Sequence, residues 1–580
     1  MTFLPIVDRE LRVAARKRST FWLRVVAALV TITISAAFLA IGGLMEMQGG
    51  MFPLSLGAVL FAILTWMSFG CACFAGVFFT SDTLSEEKRE GTLGLLFLTD
   101  LRSYDVVLGK LMAMSLRTFY ALLAIFPIVG ITLLMGGVTG AEFWQRMLVL
   151  VNTLFFSLAA GMFVSSISRE SQKALGGTLF LILLFVVGLP LIDVWIAYLK
   201  KRTFVPLFSY ASLWLGCNYV GSASAKMFWW SFAIPNFLGW IFLVLASICT
   251  PRAFHEKAAG GAPVKKNWLY SLRFGTDRGR NRRRRRLLEI NPALWLAHRQ
   301  RWRWLLLWIF SFACVALFAF IVAYYWNSKN RGVNYGILIG VNFFFGVVIL
   351  GLKFWMAAQA SRFFIEAWRT GALELLLTSP LPEKKIIRGQ WSALARLFFV
   401  PVALIVFTQG VFGFLQMDEL RGIASGMPPQ FFSPKGQFVF TLVSITITLA
   451  DLTALEWFGM WMGLTTRRPN IAVLKTILFI IAIPWFASLF AQGYLMLLIS
   501  WASWPFWIPT FIVGGLMIAK DIFFIVWAMR NLHTKFRTVA AGTVKPVWTP
   551  KSAPLPHANL PPVIPSPHPP TPVATARQVP

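Results

Sequence analysis

Long stretches without a charged residue dominate this sequence and leave it one solvent to fold in. Val25 to Leu44 runs twenty residues with no charge, and Phe228 to Cys249 and Gly336 to Leu352 are equally bare. A membrane span needs roughly 20 apolar residues at 1.5 Å rise each. The chain as a whole is 57% hydrophobic and 13% charged, with a mean hydropathy of +0.68. Soluble domains are roughly 45–50% apolar and about 25% charged. A soluble fold would have to hide more apolar surface than its core could take, so lipid is the simpler surrounding.

Twelve candidate spans follow: 25–44, 54–79, 108–135, 143–165, 174–199 and 228–249, then 304–326, 336–357, 394–415, 438–463, 473–496 and 506–528. Backbone groups in lipid must be paired within the segment, so spans of this length are helices rather than barrel strands. The expected fold class is an all-α integral membrane protein. The first apolar run is too long for a cleavable signal and lacks a small-residue cleavage site after it, so it reads as a permanent span.

The formal charge of +31 raises nucleic acid as a partner, but its distribution answers differently. Arg9, Arg12, Arg16, Lys17 and Arg18 precede the first span, and Arg169 and Lys173 separate spans four and five. Residues 252–303 hold fifteen Lys/Arg against three acids, including the run Arg282 to Arg286. Arg467 and Arg468 lie between spans ten and eleven, while loops such as 45–53 and 497–505 are nearly free of basic residues. Basic residues in alternate loops mark the cytoplasmic side, which puts both termini there. Lys200-Lys201-Arg202 falls outside as an exception. The Arg run therefore reads as an orientation signal and a contact for anionic lipid at the linker, with no nucleic acid implied.

Five cysteines form no CxxC pair, and Cys71 and Cys73 read as small core residues within the second span. No metal site is expected. From Pro546 to Pro580 there are twelve prolines and no acid, a composition that cannot build a helix or a core. Segments are thus expected as 1–21, a cytoplasmic amphipathic interface helix; 22–251, a first six-span half; 252–290, a basic linker; 291–530, a second six-span half; and 531–580, a disordered cytoplasmic tail.

An internal repeat carries the organisation. Residues 81–111 align without gaps on 361–391 at an offset of 280, with nine of 31 positions identical. These are Ser81, Glu86, Arg89, Gly91, Leu93, Leu95, Leu96, Leu101 and Gly109, against Ser361, Glu366, Arg369, Gly371, Leu373, Leu375, Leu376, Leu381 and Gly389. A weaker match at offset 298 sets Gly161-Met162 on Gly459-Met460, Arg169 on Arg467 and Ala174 on Ala472. Two tandem halves of six spans each would enter the membrane the same way round, because six is even, and so form parallel repeats.

The strongest repeat match lies outside lipid, in the cytoplasmic loop between spans two and three of each half. EKREGTLGLLFLTDL at 87–101 and AWRTGALELLLTSPL at 367–381 each run from charged or polar residues through a glycine into an apolar stretch. Gly91 and Gly371 permit a sharp change of direction. The leucines that follow stand at helical spacing, which predicts a short amphipathic helix along the membrane face. Such a helix is either an interfacial anchor or a docking surface for a cytoplasmic partner.

At these residues the sequence resembles the permeases of type-2 ATP-binding-cassette (ABC) transporters, whose loops follow a pattern close to E-R-E-x-G-T-L-E-L-L-L-x-T-P-L. PIVDRELRVAARKRS at 5–19 resembles the interface helix before their first span, and NPALWLAHRQRWR at 291–303 holds the same place in the second half. SSISRESQKA at 165–174 and GLTTRRPNIA at 463–472 resemble their turn after span four. The first copy keeps Glu87 to Gly91 but has Gly94 and Asp100 where Glu and Pro are usual; the second keeps Glu374 and Pro380 but has Ala367, Trp368 and Thr370 in the charged stretch. The resemblance implies a permease with both halves fused, forming one translocation path of exporter type, in a bacterial cytoplasmic (inner) membrane. It implies coupling to ATPase subunits through Glu86, Arg89, Gly91, Leu95 and Leu96, and through Glu366, Arg369, Gly371, Leu375 and Leu376. The sequence has no G-x-x-x-x-G-K-[ST] phosphate loop, so the ATPase is expected on a separate chain, with no cofactor bound here and no enzyme activity of its own.

Ionisable groups inside spans are functional candidates because each costs roughly 2.5–3.5 kcal/mol at mid-helix. Thr441, Ser444, Thr448 and Asp451 follow 3-4-3 spacing on one face of span ten. That stripe either lines the path of an unidentified substrate or bonds a neighbouring helix. Its first-half counterpart, Asn152, Thr153 and Ser157, is uncharged. Lys353, Glu456 and Lys475 are expected nearer the cytoplasmic ends, reaching the interface. A self-contained secondary transporter of six plus six spans is the competing reading, and would need several buried charges. A membrane-embedded enzyme would need clustered His, Asp or Glu, and the five histidines are scattered.

Overall fold

The computed structural model describes residues 18–47, 56–98, 102–190, 225–258, 335–423, 434–466, 468–502 and 507–542, with shorter pieces that include 208–213 and 291–297. The described residues form helices and turns and contain no strand. Eleven of the helices are long and apolar enough to cross a membrane. The seventh expected span, 304–326, lies largely outside the described residues, as do most of the interface helix at 1–21 and of the basic linker.

The first half runs α1 (Arg18–Met47), α2 (Leu56–Ala75) with a π-helical turn at Gly76–Thr80, α3 (Thr83–Glu90) and α4 (Thr92–Phe97). It continues with α5 (Ser103–Leu134), α6 (Gly140–Ile167), α7 (Ser171–Leu183) with a π turn at Leu184–Gly188, and α8 (Ala225–Ala258). The second half has α9 (Pro292–Ala297), α10 (Tyr335–Arg369), α11 (Ala372–Thr378) and α12 (Glu383–Ile423). Then come α13 (Pro434–Thr465), α14 (Pro469–Ile477) with a π turn at Leu478–Ala482, α15 (Ile483–Ala502) and α16 (Trp507–Gly542). The last helix crosses the tail boundary expected at 531, because Leu532, Phe536 and Ala540 are buried in the core. Arg537 also pairs there with Glu383 of α12 at 2.6 Å. The twelve prolines that forbid helix begin only at Pro546.

The sequence repeat has a packing cause. Gly161 of α6 lies against Thr80, and a Cβ there would also stand 2.6 Å from the Gly76 carbonyl oxygen. At the equivalent place a Cβ on Gly459 of α13 would stand 2.8 Å from the Cβ of Ala360. Small residues let helix backbones approach in this way. Met162 and Met460, and Ala174 and Ala472, are all fully buried. Gly389 is retained because α9 packs onto α12 there: its Cβ would meet Ala293 at 2.8 Å, and Asn291 Nδ2 donates to the Lys385 carbonyl at 2.7 Å.

One feature separates the halves. Ser157 Oγ of α6 donates to the Ala72 carbonyl of α2 at 2.6 Å and accepts from Gly76 N at 3.1 Å. A side chain inserted into the helical ladder produces the π turn and breaks the helix before α3. The residue equivalent to Gly76 is the buried Met356, and α10 runs unbroken to Arg369.

The halves meet along the ends of their second and fifth spans. Phe78 and Phe354 are 5.9 Å apart by ring centroid. Gln172 Nε2 donates to the Ala358 carbonyl at 2.7 Å, and Asn470 reaches Ser81 at 3.5 Å and Ser171 at 3.1 Å. An apolar core runs through both halves.

Candidate coupling face and buried charges

Each coupling loop turns on a glycine in the left-handed region, Gly91 at φ 78° and Gly371 at φ 71°, where a Cβ is penalised. The turn presents paired leucines alike in both halves. Leu93 and Leu373 are buried at 3%, whereas Leu95 and Leu375 are 64% and 74% exposed. Leu376 packs partly against the core. The backbone of Leu96 belongs to α4, and its side chain lies outside the described residues.

Around that shared frame the two loops are held differently. In the first, the free amides at the start of α3 are satisfied by Ser165, whose Oγ accepts from Leu84 N and Ser85 N, both at 3.0 Å. Lys88 is buried and donates to the Ser166 carbonyl. Arg89 does not pair with Glu86: it grips Asp82 through two bonds of 2.8 and 3.0 Å, and also reaches the Arg169 carbonyl at 3.3 Å. Glu87 joins Lys110 of α5 at 2.6 Å. Glu86 faces Arg468 of the second half at 3.9 Å.

In the second loop Ala367 and Gln390 replace Glu87 and Lys110, and Trp368 replaces Lys88. Its Glu366 pairs with Arg362 at 2.8 Å, and Arg362 also reaches Glu170 of the first half at 3.3 Å. Arg369 is exposed, and the charges of Arg89, Asp82, Glu86 and Glu90 act on it. The two loops are therefore neighbours on one face. Sequence reading missed Asp82, Lys88, Arg362 and Glu170. The visible signal was at 82 and 362, equivalent positions that carry Asp and Arg.

Span ten behaves unlike a uniform stripe. Thr441 lies against Gly413 of α12, Gln409 Nε2 donates to Thr448 Oγ1 at 3.4 Å, and Thr448 donates to the Ser444 carbonyl at 2.8 Å. The structure brings Thr441 and Thr448 to α12 and sends Asp451 elsewhere. Asp451, 5% exposed, accepts from Lys353 of α10 at 2.6 Å and from Lys520 of α16 at 2.8 Å. Lys520 also contacts Asp521 at 2.6 Å and donates to the Ile480 carbonyl at 2.9 Å. That carbonyl belongs to a π turn; in the first half the matching turn offers the Val186 carbonyl to Ser212 at 3.2 Å.

Two expectations are corrected here. Lys353 does not reach the interface: it stands about 24 Å along α10 from Arg369, at 1.5 Å per residue, where its counter-ion is Asp451. Glu456 is buried at 5% and accepts a hydrogen bond from Trp391. Lys475 is exposed, as its position suggested. In the first half the α6–α8 contact carries amides instead of ions, with Asn236 Nδ2 donating to Asn152 Oδ1 at 3.1 Å and Asn152 donating to the Phe232 carbonyl at 2.9 Å. No group of three or more His, Cys, Asp or Glu placed to hold a metal occurs among the described residues.

The eleven long apolar helices among the described residues define a multi-pass membrane protein. Residues 4–225 match the family described as ABC-2 family transporter protein. No curated protein matches the chain.

Proposed function

We propose that the chain is the permease of an ABC transporter of exporter type, with two permease halves fused in tandem. Separate ATPase chains would dock at 81–111 and 361–391 and consume the ATP, so the chain itself needs no cofactor. The basic loops, both termini and the docking face would lie in the cytoplasm of a bacterial cell, and the basic linker would lie on anionic lipid. The observation that carries this reading is the exposure of Leu95 and Leu375 behind equivalent left-handed glycines. An apolar side chain held in solvent on a rigid turn, twice and side by side, is suited to a partner surface.

The test is retention of the ATPase. Leu95→Ser with Leu375→Ser removes two exposed side chains and leaves Leu93 and Leu373 in place. The permease should still fold, while co-purification of a partner ATPase falls at least about tenfold, from the loss of roughly 1–2 kcal/mol per anchor. Undiminished co-purification would leave these helices as membrane anchors. The competing reading, an ATP-independent secondary transporter, draws on the buried Asp451 and Asp521 and the part-buried Lys353 and Lys520. Transport that continues without ATPase and stops when the ion gradient is dissipated would favour it. The stripe of Thr441, Ser444, Thr448 and Asp451 remains proposed as a wall of the path only in that its residues border the second-half interior.

A further inference from the structure

Arg24 of α1 and Arg117 of α5 sit at one membrane boundary of the first half with no acidic partner among the described residues. Counting roughly 20 residues of hydrocarbon back from Leu134, the far end of α5, places the boundary near residue 114, on the side of the coupling loops. Arg117 and Tyr120 are one turn apart just inside it and share a helix face. The Arg24 guanidinium carbon lies 4.1 Å from the Tyr120 ring centroid, and that of Arg117 lies 5.4 Å from the Phe79 ring centroid. In both arginines Nε is buried and has no hydrogen-bond partner.

An aromatic face offsets part of a guanidinium's desolvation but accepts none of its N–H bonds. Neither cation has a counter-charge among the described residues, so the arrangement is incomplete as it stands. What completes it must be anionic, must present several acceptor oxygens to a planar fork, and must be found at headgroup depth. A phosphate meets all three conditions.

The second half does not repeat the groove. Leu397 occupies the position of Arg117, and the neighbouring Arg396 is exposed. We propose that Arg24 and Arg117 hold the phosphate of one anionic lipid, from the leaflet on the coupling side, in the first half only. Such a lipid would wedge α1 against α5 and would sit beside Phe79, at the end of the π turn that leads into α3.

The experiment uses the full-length chain purified into detergent, incubated with equimolar phosphatidylglycerol and phosphatidylcholine, and weighed intact by mass spectrometry. The wild-type chain should keep phosphatidylglycerol preferentially. Arg24→Gln with Arg117→Gln should lower that preference at least about tenfold, from roughly 1 kcal/mol per basic residue. Arg146→Gln serves as the control, because Arg146 is also unpaired at Nε but stands over Trp66 toward the opposite boundary. Arg24→Lys with Arg117→Lys keeps the charge without the fork and should fall between. Absence of a preference in the wild-type chain would overturn the proposal, as would an unchanged preference in the Gln pair. Displacement of the lipid by millimolar inorganic phosphate would assign the groove to a soluble anion and overturn the lipid.

Discussion

Arg362 at the end of α10 lies 3.3 Å from Glu170 of the first half, and at the opposite seam Glu86 lies 3.9 Å from Arg468. The two contacts share one equivalent position, 170 and 468, where the signs are exchanged, while their other members, Arg362 and Glu86, stand at different positions of the repeat. Position 362 is Arg where 82 is Asp, and 468 is Arg where 170 is Glu. Each half therefore offers the charge the other lacks, while a half facing its own copy would set Asp82 and Glu86 against Glu170, or Arg362 against Arg468. Like charges in contact suppress wrong pairings more strongly than the matched pair stabilises the right one.

Reversing one side of this seam should loosen it, and reversing both should restore it. Arg362→Glu is expected to lower stability by about 1–2 kcal/mol, since a part-exposed pair is worth at most about 1 kcal/mol and repulsion adds to its loss. Adding Glu170→Arg should recover most of that difference. Thermal unfolding of the purified chain in detergent measures both. Equal stability of the single and double variants would show that the two groups do not interact.

The buried ions make a harsher prediction. Asp451→Asn removes the counter-charge of Lys353 and Lys520 deep in the second half. Breaking a buried pair by taking one partner is expected to destabilise by about 3–5 kcal/mol. The variant should therefore lose expression and thermal stability before transport can be judged. Lys353→Met in the same chain should recover part of the loss, because one lysine then faces Asp521 alone. Normal stability of Asp451→Asn together with impaired transport would instead place Asp451 on the substrate path.

Much of this was readable in the sequence, and the remainder shows where reading stops. Bare apolar runs gave eleven of the helices because span length follows directly from bilayer thickness. Gly91 and Gly371 were legible because a glycine at a turn has a backbone reason that does not depend on neighbours. What Arg89 bonds to was not legible, for the opposite reason. Its partner Asp82 is seven residues away, beyond the three-or-four spacing of a continuous helix, and is brought near by the break before α3. Lys353 was missed because its counter-ion lies on another helix 98 positions along the chain. Periodicity reports which face a residue occupies, and only packing reports what stands opposite.

The repeated glycines should respond unequally to the same change. A Cβ at Gly161 meets the Gly76 carbonyl oxygen at 2.6 Å as well as Thr80, while one at Gly459 meets chiefly the Ala360 Cβ at 2.8 Å. Backbone in the π turn cannot swing aside, and overpacking of this kind costs about 1–3 kcal/mol. Gly161→Ala should thus be the more destabilising, by at least about 1 kcal/mol. Comparison of the two melting curves decides it; the reverse order would mean that the α2–α6 approach is looser than its geometry indicates.

Arg89 and Arg369 are identical in the repeat, and the structure gives them different work. Arg89 holds α3 together through Asp82 and the Arg169 carbonyl, whereas Arg369 is exposed to solvent. Arg89→Glu would set one carboxylate against another at the start of α3 and should lower stability by about 2 kcal/mol or more, as loss of a charge-assisted pair with repulsion added. Its effect on ATPase binding would then be indirect, through the fold of the first loop. Arg369→Glu should leave stability within about 0.5 kcal/mol, as surface substitutions usually do, and any change in ATPase binding would be direct. Protease protection of residues 83–97 separates the two cases. Arg89→Glu should open cleavage there even without ATPase, and Arg369→Glu should not. Full protection in Arg89→Glu would mean that the buried Lys88 and the Ser165 bonds hold α3 unaided, and that Arg89 faces the partner after all.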